Sequence, residues 1–236
     1  MRRGLYQWFG AAGAVFAASF ALALLLPPLS VPAAMLVAWS GVVVLVSLIV
    51  GHAKHPVQWF SAPIRVATQA GATCLLLLLL LTRLHQLDPP IAVLLQLALA
   101  SAMLAWLMSA LIQWFPGPAH APACVGRIML VFALLALAPL WGGTTLDAFA
   151  PSGSGADVLI GISPTTYLAQ AANWDYLRSD WFYRASPLGS LRFEYTHFWL
   201  STLLLRLATL AVQFLDAVKR HLRPTTEKPH ISTSAT

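Results

Sequence analysis

Few residues in this chain are of a type that does chemistry, and the most conspicuous is a single charge. Arg206 lies about ten positions into the apolar run 197–217. A cation near the middle of a bilayer costs about 2.5–3.5 kcal/mol on insertion scales, so it needs compensation. A cavity, an anionic head group or an inter-subunit contact would supply it, and so would a polar partner on another helix such as Gln96 or Ser101. Asp216 is too far along the same helix to pair with it directly. Glu194 and His197 make an E-x-x-H pair, the spacing of helical di-metal sites. A real site needs a second such motif and more glutamates, and Glu occurs only at positions 194 and 227. An interfacial acid and imidazole is the plainer reading.

The remaining candidates fall short in the same way. Asp175 and Asp180 have the chemistry of a general acid and base, yet Arg178 and Arg184 beside them favour a solvated polar face. Ser152 and Ser154 sit in a polar Gly-Ser-Gly setting with no histidine assigned to them. His52 and His55 share one helical face without a carboxylate or cysteine to complete a ligand set. Cys74 and Cys124 lack the spacing of a zinc site or redox pair. No GxxxxGK[ST] loop is present. These residues imply no metal, no cofactor and no catalytic constellation, and the expectation is a chain that is not an enzyme.

The elements that must hold these residues follow from composition. Of 236 residues, 58% are hydrophobic and only 9% charged; mean hydropathy is +0.73. Soluble domains carry about 25% charged residues, so this chain lacks the means to cover a water-facing surface. The class is an all-α integral membrane protein. Its net charge of +6 is scattered beside apolar runs, which suits topology rather than nucleic acid.

Six segments reach the length of about 20 apolar residues that a spanning helix needs: 8–26, 33–50, 65–82, 91–114, 127–141 and 197–217. Pro27, Pro28 and Pro32 separate the first two as a tight hairpin. With the N-terminus inside, nine basic residues are cytoplasmic: Arg2, Arg3, Lys54, Arg65, Arg127, Lys219, Arg220, Arg223 and Lys228. Four lie outside: Arg83, Arg178, Arg184 and Arg192. That asymmetry predicts six transmembrane helices with both termini cytoplasmic. Trp8, Trp59 and Trp114 would mark the inner interface and Trp141 and Trp199 the outer one. A cleaved signal peptide is the competing reading of the first segment, although its apolar stretch is longer than the usual h-region. The transmembrane domain is placed at 1–218, and 219–236 reads as a polar, disordered cytoplasmic tail.

The stretch 142–196 carries the most information. Residues 144–155 read as a flexible loop. Ser163 then suits an N-cap with Pro164 as first helical residue, and Tyr167, Leu168, Ala171, Trp174 and Leu177 or Trp181 form one apolar stripe at helical spacing. Such an aromatic amphipathic helix against a membrane span lies at the outer interface or dips into it as a re-entrant element. On the cytoplasmic side, 51–63 mixes basic and aromatic residues as an interfacial segment would, and 115–126 is a simple connection.

Six spans with amphipathic helices between the fifth and sixth resemble the membrane (permease) subunit of a type-two ABC exporter. In that family an Ile/Leu-Ser-Pro-x-x-Tyr/Trp-Leu stretch often begins the re-entrant helices. Here it reads Ile162-Ser163-Pro164-Thr165-Thr166-Tyr167-Leu168. The resemblance implies a bacterial-type inner-membrane protein that moves a hydrophobic or amphipathic substrate. Its partners would be a cytoplasmic ABC ATPase, a second permease copy or homologue, and membrane lipids. It further implies that 1–9 and 51–63 contact the ATPase, with His52, Lys54, His55, Trp59 and Phe60 as docking residues. Arg206, Tyr167, Trp174 and Trp181 are the candidate contacts to substrate or subunit. The alternative is a non-catalytic membrane subunit or assembly factor of a membrane or envelope complex. In that case the aromatic outer segment holds the partner.

Overall fold

The computed structural model describes residues 2–25, 31–53, 61–114, 121–149, 154–179 and 195–222. The side chains of 2–9, 51–53, 61–62, 121–124, 140–149, 154–156 and 220 lie outside that description. The regular structure of the described residues is all helical, with no strand among them: α1 (Arg2–Leu25), α2 (Pro32–Ala53), α3 (Ser61–Leu84), α4 (Ile91–Trp114), α5 (Ala121–Phe149), α6 (Ser154–Ile162), α7 (Pro164–Ala171), a 3-10 turn (Tyr176–Arg178) and α8 (Phe198–His221). Four of these helices, α2, α3, α4 and α8, are long and apolar enough to cross a membrane. The apolar parts of α1 and α5 are shorter, Gly10–Leu25 and Val125–Pro139.

Prolines set several boundaries. Pro32 is the first residue of α2, and Pro89-Pro90 precede α4, where the Pro90 carbonyl accepts from the Val93 N–H at 2.9 Å. The α3–α4 turn is closed without glycine. The Leu87 N–H bonds the Thr82 carbonyl (2.8 Å) and the Gln86 N–H bonds that of Arg83 (3.3 Å), with Gln86 at φ 53°. This is a Schellman motif, which satisfies carbonyls orphaned at the helix end.

The core is the α2–α3–α4 layer. The leucine run on α3 is uniform in sequence, but helical geometry divides it: Leu77, Leu78 and Leu81 are fully buried, while Leu76, Leu79 and Leu80 are exposed. At Gly71 the backbones approach so closely that a Cβ would lie 3.2 Å from Ala102 Cβ and 3.3 Å from the Ala98 carbonyl. Without water to drive them together, membrane helices associate through small residues and polar contacts of this kind. A hydroxyl–thiol chain ties the same layer. Ser101 donates to Cys74 Sγ (3.3 Å), Cys74 reaches Ser40 Oγ (3.6 Å), and Ser40 donates to the Leu36 carbonyl (2.8 Å).

Two expected loops are instead partly helical. Residues 121–126 belong to α5, which continues to Phe149, and α6 begins at Ser154. Pro and Gly content suggested connections there, but Pro139 is accommodated inside α5 rather than ending it. The last helix, α8, packs chiefly on α4 and touches α7.

Candidate functional site: a cavity walled by α2, α5 and α7

The site begins with the break at Ser163. Its backbone is extended, as an N-cap requires, and Pro164 occupies the first helical position. The anticipated cap bond is absent: Ser163 Oγ is buried with no hydrogen-bond partner. The turn is held instead by the Ser163 N–H on the Ile160 carbonyl (3.2 Å) and by the proline's fixed φ. The expected stripe from Tyr167 to Trp181 does not form one helix. Asn173 adopts φ 51°, and the Trp174 N–H closes a second Schellman motif on the Ala169 carbonyl at 2.8 Å. Asparagine tolerates the left-handed region better than most residues, which is why the chain turns here.

The resulting eight-residue helix is too short to span, yet Thr166, Tyr167, Leu168, Ala169 and Ala171 are all buried. Three hydroxyls fix it. Thr165 donates to the Ala136 carbonyl of α5 at 2.8 Å. Pro139 removes the donor for the Leu135 carbonyl, so this bond lands at a turn the proline has loosened. Thr166 Oγ1 and the Tyr176 hydroxyl are 2.7 Å apart. The Tyr167 hydroxyl is 2.9 Å from Thr202 on α8, and its ring stacks on Phe198 with centroids 5.6 Å apart. Burial pushes the Tyr167 and Tyr176 phenols up to about 12, against opposing hydrogen bonds from Thr202 and Thr166. Tyr195, whose hydroxyl accepts from the Leu177 N–H at 3.4 Å, is shifted upward by the same cause. These phenols are neutral hydrogen-bonding groups at ordinary pH.

Beside α7 lies a cavity of 560 Å³ lined by α2, α5 and α7, with Trp174 at its wall. The lining is overwhelmingly apolar, so the arrangement is built to hold an apolar group.

The sequence-predicted residues divide as follows. Trp174 lines the cavity, whereas Tyr167, on the same short helix, turns to Thr202 and Phe198 of α8. Arg206 stands apart, half-buried on α8, with its guanidinium 3.7 Å from the centroid of the Trp106 ring. Neither anticipated polar partner serves it. Gln96 Oε1 has no hydrogen-bond partner, and Ser101 is committed to Cys74. An aromatic face stabilises a cation without supplying a counter-charge. Trp181, Lys54, His55, Trp59 and Phe60 lie outside the described residues, as do Ser152, Asp180, Arg184 and Glu194. His52 belongs to the last turn of α2, but its side chain is outside the description.

Sequence reasoning missed Trp106, Thr165, Asn173 and Thr202. A signal for the α4–α8 seam was present: Thr202, Arg206, Thr209, Gln213 and Asp216 recur at alternating steps of four and three. That spacing marks one helix face turned to a neighbour. Thr209 and Asp216 on it are buried, while Leu203, Leu207 and Leu210 on the other faces are exposed. At the far end of the seam Lys219 Nζ lies 4.9 Å from the Trp114 ring and 3.2 Å from its carbonyl.

Comparison with models of known protein families, with curated proteins and with solved structures returned no match to this chain.

Proposed function

We propose that this chain is a permease-type membrane subunit, resembling that of type-two ABC exporters. It moves a hydrophobic or amphipathic substrate across a bacterial-type inner membrane while a separate cytoplasmic ATPase supplies the energy. The observation that carries this reading is α7, a helix too short to span that is nonetheless buried between α2, α4, α5 and α8 beside an apolar cavity. Non-spanning backbone at such depth is tolerated where protein surrounds it or where it lines a cavity. In the proposal α1 and α5 also cross, giving six spans with both termini cytoplasmic. Support for that count comes from the seam: Lys219 beside Trp114 brings the ends of α4 and α8 to one face. The chain between them must then cross an odd number of times, as α5 alone would do. A substrate-facing role falls to Trp174, and a contact with the last helix to Tyr167. The docking of an ATPase falls to 51–63, with a second copy completing the permease.

The test is purification of the tagged full chain in mild detergent, with mass spectrometry of what accompanies it. A stoichiometric ABC ATPase, released by substituting Trp59 and Phe60, is the expected result. Envelope or membrane partners without an ATPase would overturn the reading and make the protein a non-catalytic subunit or assembly factor.

A further inference from the structure

We propose that the cavity between α2, α5 and α7 is a binding site for one hydrocarbon chain of a membrane phospholipid, entering from the leaflet in which α2 begins. The site rests on the membrane-spanning helices around it and does not require an ATPase partner.

Its depth is the first argument. The lining begins at Val31, immediately before α2, and follows that helix to Gly41, ten residues and so about 15 Å. That is half of the roughly 30 Å hydrocarbon core, the reach of a single leaflet. Its shape is the second. Ala34, Ala38 and Gly41 fall at i, i+4 and i+7, so three small residues of α2 form a trough along the helix axis. Phe132 of α5 and Leu168 of α7 also face this space. A trough aligned with the span suits a slender linear chain.

Its chemistry is the third. Among the described lining residues the one hydroxyl, that of Thr165, already donates to the Ala136 carbonyl. Water in a cavity needs two to four polar partners, and the described side chains of this wall do not offer them. The volume of 560 Å³ lies within the range of about 300–1,000 Å³ typical of ligand sites. Trp174, which follows the turn at Asn173 and lies 5.9 Å from the Tyr176 ring, adds an aromatic face to the wall.

The experiment uses the full chain reconstituted in phosphatidylcholine vesicles doped with phosphatidylcholine that carries a diazirine midway along one acyl chain. After irradiation, adducts are mapped by mass spectrometry. They should concentrate on 34–41 and 164–168 relative to the exposed face of α8, and fall about tenfold in Ala38→Trp, whose ring fills the trough. Should that variant fail to fold, Gly41→Leu narrows the same trough. A Cβ there meets nothing closer than Leu168 Cδ1 at 4.0 Å. Leu207→Trp on α8 should leave the pattern unchanged. Adducts no denser at the trough than on α8, or insensitive to both fillings, would overturn the proposal.

Discussion

The Arg206 guanidinium lies over the Trp106 indole, 3.7 Å from the ring centroid, and links α8 to α4. A desolvated cation–ring pair contributes up to about 2 kcal/mol. A double-mutant cycle of Arg206→Met and Trp106→Leu, read by reversible unfolding in mixed micelles, should give a coupling of about 1–2 kcal/mol. Additive effects would reduce the ring to a cover. Arg206→Lys should recover only part of the coupling, since an ammonium lacks the planar stacking face. Within the permease reading, Arg206→Ala inserts normally and loses transport; full transport would leave Arg206 a structural residue.

Gly71 sets the distance between α3 and α4. Alanine there needs its neighbours to yield by a few tenths of an ångström, because the Ala98 carbonyl is only 3.3 Å from the added Cβ. Gly71→Val should cost more than Gly71→Ala, by about 1–3 kcal/mol as overpacking does. Thermal unfolding in detergent would rank them, and equal melting temperatures would show that the layer has slack.

Gln86 holds a left-handed conformation at φ 53° on an exposed turn. Glycine has no steric penalty there, although it loses more freedom on folding. Gln86→Gly should therefore stabilise the protein by about 0.5–1 kcal/mol, and Gln86→Val, which is β-branched, should destabilise it. A drop in stability for the glycine variant would show that the Gln86 side chain does more than turn the chain.

Tyr176 links α7 to the turn that follows it, and its folded phenol titrates at about 12 rather than the ordinary 10. Between those values the unfolded chain has released its proton and the folded one has not, so stability falls as pH rises through this window. Below pH 10 the contribution is fully present. Melting temperature against pH should be flat below 10 and decline above it, and Tyr176→Phe should flatten part of the decline. Tyr167 contributes to the same window, so the single variant will not abolish it.

How much of this was legible beforehand depends on the range of the interaction. The apolar runs 33–50, 65–82 and 91–114 lie within helices of spanning length, and 197–217 does so from Phe198 onward, because hydropathy is a local property. The Ser163-Pro164 start was readable for the same reason. The end of α7 was not, since asparagine at 173 competes with an apolar stripe that runs past it. Conformation there is decided by two backbone bonds rather than by side-chain type. Arg206 could be singled out by its cost, but its partner could not be, because nothing local to residue 206 names an indole on α4. The cavity is a product of three helices and has no signature in any one of them.

The seam between α4 and α8 also has a history. Arg206 leaves the ribosome one hundred residues after Trp106, about 5–20 s later at ordinary synthesis rates. In a chain that inserts as it is made, α4 carries the indole into the bilayer before the last span arrives. The late helix therefore enters the membrane with a docking face waiting, and its charge moves onto an aromatic surface instead of into bare lipid.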